Sequence, residues 1–140
     1  MIAGTAAILI LIVLSDLHVH WARGGKAGKG AAIPTLNERP ALKPTALTTI
    51  MVAVVLLAMA AVLAFRIGWL DLPAVPGLSS FVRVCAWLIA VAFALRAVGD
   101  FRYVGFFKKI RESRFARLDT FAYSPLCACL AVLVGLAAQA

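Results

Sequence analysis

Four apolar runs, each close to the length of a membrane span, constrain this chain more than anything else in it. They cover residues 2–22, about 46–65, about 81–98 and about 121–138. An α-helix needs roughly 20 residues to cross the ~30 Å hydrocarbon layer of a bilayer. Helices are required there because a backbone group left unpaired in lipid costs several kcal/mol. Breakers separate the runs: Gly24, Gly25, Pro34, Pro40 and Pro44, then Pro73, Pro76 and Gly77, then Gly99 and Gly105. Ser124-Pro125 is expected to cap the fourth helix, with proline in its first turn. At 64% hydrophobic and 14% charged, the chain is far from the about 45–50% apolar and about 25% charged residues of soluble domains. The expectation is an all-α fold, an integral membrane four-helix bundle forming a single transmembrane domain over residues 1–140. Its loops 23–45 and 99–120 would lie on one side.

Charge placement sets the orientation. Twelve of the 14 Lys and Arg residues fall in or beside loops 23–45 and 99–120, and only Arg66 and Arg83 near the other ends of the spans. The positive-inside rule therefore places both loops in the cytoplasm and both termini outside, as expected for a multi-pass protein of the cytoplasmic membrane. Trp21 and Trp69 fall at the interfaces, where amphipathic rings settle. The opening "MIAGT" has no basic residue, and "WARGGKAGK" follows the first run, so that run reads as a retained span rather than a cleaved signal. The net charge of +8 is thus a matter of topology.

Residues 101–118 interleave Phe101, Tyr103, Phe106, Phe107, Ile110, Phe115 and Leu118 with six cations. Such a segment suits the headgroup layer, with rings at the acyl boundary and cations among lipid phosphates. The bilayer and anionic lipid headgroups are therefore the expected partners. Stacking on single-stranded nucleic acid uses the same residue types, but a segment tethered to the membrane at both ends is a poor candidate, and no nucleic-acid partner is expected.

Ionisable groups inside apolar runs are expensive and tend to face the bundle and pair. "SDLHVHW" places Asp16, His18 and His20 in the last turns of the first helix. "ALRAVGD" puts Arg96 and Asp100 four residues apart at the matching end of the third. The expectation is one polar pocket on the cytoplasmic side containing Asp16, His18, His20, Arg96, Asp100 and Tyr103. Against it stands the simpler reading that Asp16–His20 and Arg96–Asp100 are internal pairs that fix packing and reach toward water. The i, i+2 spacing of His18 and His20 splays them on a helix, so no metal site is expected, and no cofactor. "GGKAGKG" fails as a nucleotide loop: three residues, not four, separate its glycines, and Gly30 stands where a hydroxyl is needed. Cys127 and Cys129 lie far from Cys85 along the spans, and no disulfide is expected. Ala128, Ala131, Gly135 and Ala138 invite close helix packing inside the bundle, or a homodimer seam or membrane partner.

"H-x-x-W-A-x-G-G" (His18, Trp21, Ala22, Gly24, Gly25), "RAVGDFRYVGFFKK", "FARLDT" and "YSPLC" together resemble a bacterial membrane family catalogued as domain of unknown function 3995. The resemblance spans nearly the whole chain and is most specific from Arg96 to Lys108. It implies a small four-helix integral membrane protein and brings no activity, substrate or cofactor. It also implies that His18, Trp21, Arg96, Gly99, Asp100, Arg102, Tyr103, Asp119, Tyr123, Ser124 and Pro125 match motif positions. The resemblance further implies that tyrosine is common at position 20, which would make His18 the better acid–base candidate. Set positions for Gly99, Gly105, Asp100 and Asp119 imply an ordered loop, with the carboxylates binding nearby arginines or capping short helices.

Two function classes follow. One is a non-catalytic membrane protein binding an anionic lipid, a small anion or a partner, with Arg96, Arg102, Tyr103 and His18 lining the site and Asp16 and Asp100 orienting the arginines. The other is a membrane enzyme acting on a lipid-soluble substrate, with His18 as general acid–base tuned by Asp16 or Asp100 and Arg96 polarising the substrate.

Overall fold

The computed structural model describes residues 1–26, 28, 33, 35–36, 39–40, 44–71, 73–111 and 113–139. Lys29, Pro34 and Lys43, counted above in the first connection, lie outside the described residues. Helices α1 (Ile2–Ala22), α2 (Ala46–Arg66) and α3 (Leu78–Val98) each run 21 residues, roughly the thickness of the hydrocarbon layer. The fourth span is continuous from Arg114 to Gln139, 26 residues. It comprises α4 (Arg114–Leu118), a wide turn (Asp119–Tyr123) and α5 (Ser124–Gln139). A two-residue ladder in the first connection pairs β1 (Thr35–Leu36) antiparallel with β2 (Arg39–Pro40).

All four spans are long and apolar enough to cross a membrane. Each also turns large apolar side chains outward: Leu9 and Val13 on α1, Val54 and Val55 on α2, Leu88 and Leu95 on α3, Val132 and Leu136 on α5. An apolar belt around a whole bundle is unfavourable in water and suited to lipid. The protein is an all-α integral membrane four-helix bundle, a multi-pass membrane protein.

Around the bundle, α1 packs chiefly on α2 and α3 chiefly on α5, while α1–α5 and α2–α3 contacts close the ring. Helices α1 and α3 are diagonal partners. Ala7, Leu11, Leu63, Ala86, Leu130, Val134 and Ala138 fill the centre. Small residues let the backbones approach: a Cβ on Gly4 would stand 2.5 Å from Ile67 and 3.3 Å from Ala137. Of the small residues expected to pack within the bundle, Gly135 and Ala138 are buried, and Ala128 and Ala131 half-buried.

The helix ends show why each span starts and stops. The Thr45 hydroxyl accepts from the Thr48 N–H at 3.2 Å and caps α2. At the opposite end of the bundle Arg66 donates from Nε and Nη2 to the Ala138 carbonyl, at 3.3 and 3.1 Å, satisfying a carbonyl that α5 leaves open. The fourth helix begins at Arg114, before the expected residue 121, and its cap is Ser113, whose Oγ accepts from the Ala116 N–H at 3.0 Å. Ser124-Pro125 is therefore interior, not a start. A proline there removes one N–H, and its ring crowds the carbonyl four residues back. The chain responds by widening the preceding turn, so that the Ser124 N–H bonds the Asp119 carbonyl, five residues earlier.

Candidate functional site

At the basic end, α1 stops in a two-bond reversal. The Gly24 N–H donates to the Trp21 carbonyl at 3.2 Å, and the Gly25 N–H to the His20 carbonyl at 2.9 Å. Gly24 takes φ +93°, and a Cβ on Gly25 would collide with the His20 ring. The glycine pair of the first motif thus ends the helix and seats His20. Asp16 is exposed and lines an open cleft of about 450 Å³ with His20, Arg23, Gly24 and Gly25. His18 faces elsewhere. Its Nδ1–H donates to the Leu14 carbonyl at 2.7 Å, a pairing that fixes the proton on Nδ1. The ring meets Trp21 edge-on at 5.0 Å. It lines a second cleft, about 230 Å³, with Ile33, Pro44, Thr48 and Thr49. One turn deeper, Ser15 Oγ donates to the Ala53 carbonyl at 2.9 Å and ties α1 to α2.

The other set of polar groups is assembled. Helix α3 ends at Val98 because Gly99 takes φ +93° and turns the chain. Asp100 then accepts three backbone N–H bonds on one oxygen, from Arg102, Tyr103 and Val104 at 2.9, 2.7 and 3.0 Å. Burial nudges the Asp100 carboxyl upward, but the bonds from Val104, Arg102 and Tyr103 outweigh it and hold its pKa below the ordinary 3.8. The loop folds back so tightly that a Cβ on Gly99 would lie 1.9 Å from the Val104 carbonyl oxygen, and one on Gly105 2.2 Å from that of Val98. The Phe106 N–H donates to the Ala97 carbonyl, and that of Ile110 to Arg102.

Beneath this loop sits Asp119, at 0% exposure. Its Oδ1 accepts from Arg96 Nη2 at 2.9 Å. Its Oδ2 accepts from the Gly105 N–H at 2.7 Å, Lys108 Nζ at 3.0 Å and Ser124 Oγ at 3.2 Å. Lys108 is itself 1% exposed and donates also to the Gly105 carbonyl and the Thr120 hydroxyl. The wide turn makes this geometry. Residues five apart point in different directions on an α-helix, whereas a turn closed by an i→i+5 bond brings Ser124 over Asp119. Proline's local constraint thus shapes the site.

The expected pocket is not formed as one site. Arg96 meets Asp119 rather than Asp100, because Gly99 ends the helix between them and turns Asp100 onto its own loop. Tyr103 lies under the Arg102 guanidinium, 5.1 Å from ring centroid to Cζ. Asp16, His18 and His20 belong to α1, across the bundle from α3. Among the described residues no three metal-ligating side chains converge. Sequence reasoning expected an ordered loop here, with Asp119 binding an arginine of the loop or capping a short helix; the arginine it meets is instead Arg96, at the end of α3. It passed over Lys108, which nothing in "FFKKIR" separates from Lys109. The one available signal for the wide turn was Pro125, lying within an apolar run.

A model of the family described as protein of unknown function (DUF3995) matches residues 11–134. The chain belongs to this family. The DUF3995 match takes in the end of α1, the loop after α3 and the whole Asp119 cluster. A search of curated proteins and one of solved structures gave no match.

Proposed function

We propose that the protein sits in a bacterial cytoplasmic membrane with its basic end inside, and binds anionic lipid headgroups through the outer face of loop 99–111. The observation that carries this reading is Phe101. It is held at φ 60°, in the left-handed region, which costs a bulky residue about 1–2 kcal/mol. Its ring is nevertheless 57% exposed, 6.4 Å from that of exposed Phe107. Strain held in place by several bonds points to a use for the conformation. Here the conformation presents Phe101, Phe106 and Phe107 beside Arg102, Lys109 and Arg111, all exposed. Rings at the acyl boundary and cations among phosphates suit that set, each cation contributing about 1 kcal/mol at an anionic surface. Sidedness follows from the twelve basic residues at this end against two at the other.

The test is native mass spectrometry of the full chain from nanodiscs of equal phosphatidylcholine and phosphatidylglycerol. Phosphatidylglycerol is expected to be enriched several-fold on the protein, and the variant R102Q/K109Q/R111Q to return toward the bulk ratio. Equal enrichment in both proteins would refute the proposal.

A second reading rests on His18. With Nδ1 tied to Leu14, Nε2 is the nitrogen left for a ligand in the cleft against α2. This suits a lipid-soluble substrate bearing a carbonyl or hydroxyl, with His18 as general acid–base. A lipophile co-purifying with the wild type and lost from H18A would support it. Unchanged retention would remove it.

A further inference from the structure

Donors and charges around Asp119 do not balance, and the excess falls on one residue. Lys108 has three N–H bonds to give, and Gly105, Asp119 and Thr120 receive them. Asp119 accepts on both oxygens, from four donors. Arg96 carries five N–H bonds. One on Nη2 reaches Asp119, while Nη1 is buried with no acceptor among the described residues. In charge, among the described residues, two cations face a single carboxylate. The surplus donors and the surplus charge therefore sit on the same guanidinium. The carbonyl end of α3 beside it supplies at most about half a negative charge. Water would accept a hydrogen bond but bring no charge, and the one carboxylate Arg96 meets is shared with Lys108.

We infer that Arg96 holds one phosphate oxyanion between the end of α3 and the fourth span. The inference rests on the anionic-headgroup reading and adds a stoichiometric site to a diffuse surface. A planar guanidinium matches phosphate because two parallel N–H bonds meet two oxygens. Asp119 is the positioning residue: it takes Nη2 and leaves the rest of the fork for the ligand. The Arg96 side chain is 35% exposed, which gives a headgroup its approach. Nη1 is covered, so a neighbour yields as the phosphate engages, and exchange is expected to be slow. The phosphate belongs to a lipid headgroup or to free phosphate, since both offer the same oxyanion.

The experiment titrates wild type, R96K and R102Q/K109Q/R111Q in neutral detergent, with short-chain phosphatidic acid in one arm and inorganic phosphate in the other. Adducts are counted by native mass spectrometry, and thermal unfolding without ligand checks each fold. One adduct per chain is expected in wild type and in the triple variant. R96K keeps the charge and its reach to Asp119 but not the fork, and should bind about tenfold more weakly or worse. Saturation in the lipid arm alone assigns the phosphate to a headgroup, and saturation in both assigns it to the free ion as well. An adduct kept by R96K and lost from the triple variant overturns the inference and leaves the surface reading standing. Absence of any saturable adduct in wild type also overturns it, while nanodisc enrichment reports separately on the surface. Should R96K not fold, the other two proteins decide: one adduct in each supports the site, none removes it.

Discussion

The two polar clusters at the basic end use the same residue types and differ in what gathers them. On α1, Asp16, His18 and His20 are carried by a regular helix that turns His18 away from the other two, so Asp16 and His20 line one cleft and His18 another. Around Asp119, the groups come from α3, the loop after it, the wide turn and α5, and they converge on one buried carboxylate. Closeness in sequence on a helix does not make a site. A buried charge that several backbones must turn toward does.

The sharpest way to break this contrast is to remove one carboxylate from each cluster. D119A strands Lys108 and deprives Arg96 of its counter-charge, and removing one partner of a buried pair costs about 3–5 kcal/mol. D16A removes an exposed carboxylate and should change stability by no more than about 0.5 kcal/mol. Unfolding in detergent micelles, followed by helix content, measures both. Equal losses would show that the α1 cluster is as assembled as the other.

A second comparison sets the two glycine turns against each other. G99A and G105A would each force a Cβ into a backbone carbonyl at positive φ, where neither atom can step aside. About 2–3 kcal/mol and loss of protease resistance in the loop are expected. G24A also sits at positive φ but meets nothing within 4 Å, so its cost is the conformational one alone, about 1–2 kcal/mol. A G105A protein whose loop resists protease as well as wild type would contradict the tight return.

The spans were legible because lipid imposes length and apolarity on any crossing helix. The first motif's glycines were legible as breakers, though not as a seat for His20. What sequence could not supply was the partner of Arg96. Asp100, four residues on, is the local candidate, and only the reversal at Gly99 disqualifies it in favour of Asp119, 23 positions away. Lys108 is harder still. It resembles Lys109 in every local respect, and its burial follows from where the folded loop sets it over the wide turn. Pairings that depend on a turn's handedness are tertiary information.

The smallest effect separates the loop's own lock from the carboxylate beneath it. Asp100 grips three N–H groups but lies at the surface, so D100A should cost only about 1 kcal/mol, as for a lost cap. Its pH signature is more telling than its size. The folded pKa is below the ordinary 3.8, so the bound form favours the carboxylate. Its stabilisation is then complete above about 3.9 and fades as pH falls through the lower, folded value. Hydrogen exchange at the amides of Arg102, Tyr103 and Val104 should quicken over that acid range in wild type. In D100A it should already be fast at neutral pH. In D100N the amide oxygen can still accept, and the acid-dependent step attributable to this loop should vanish while part of the protection remains. An acid step of full size in D100N would assign the loop's lock to another carboxylate.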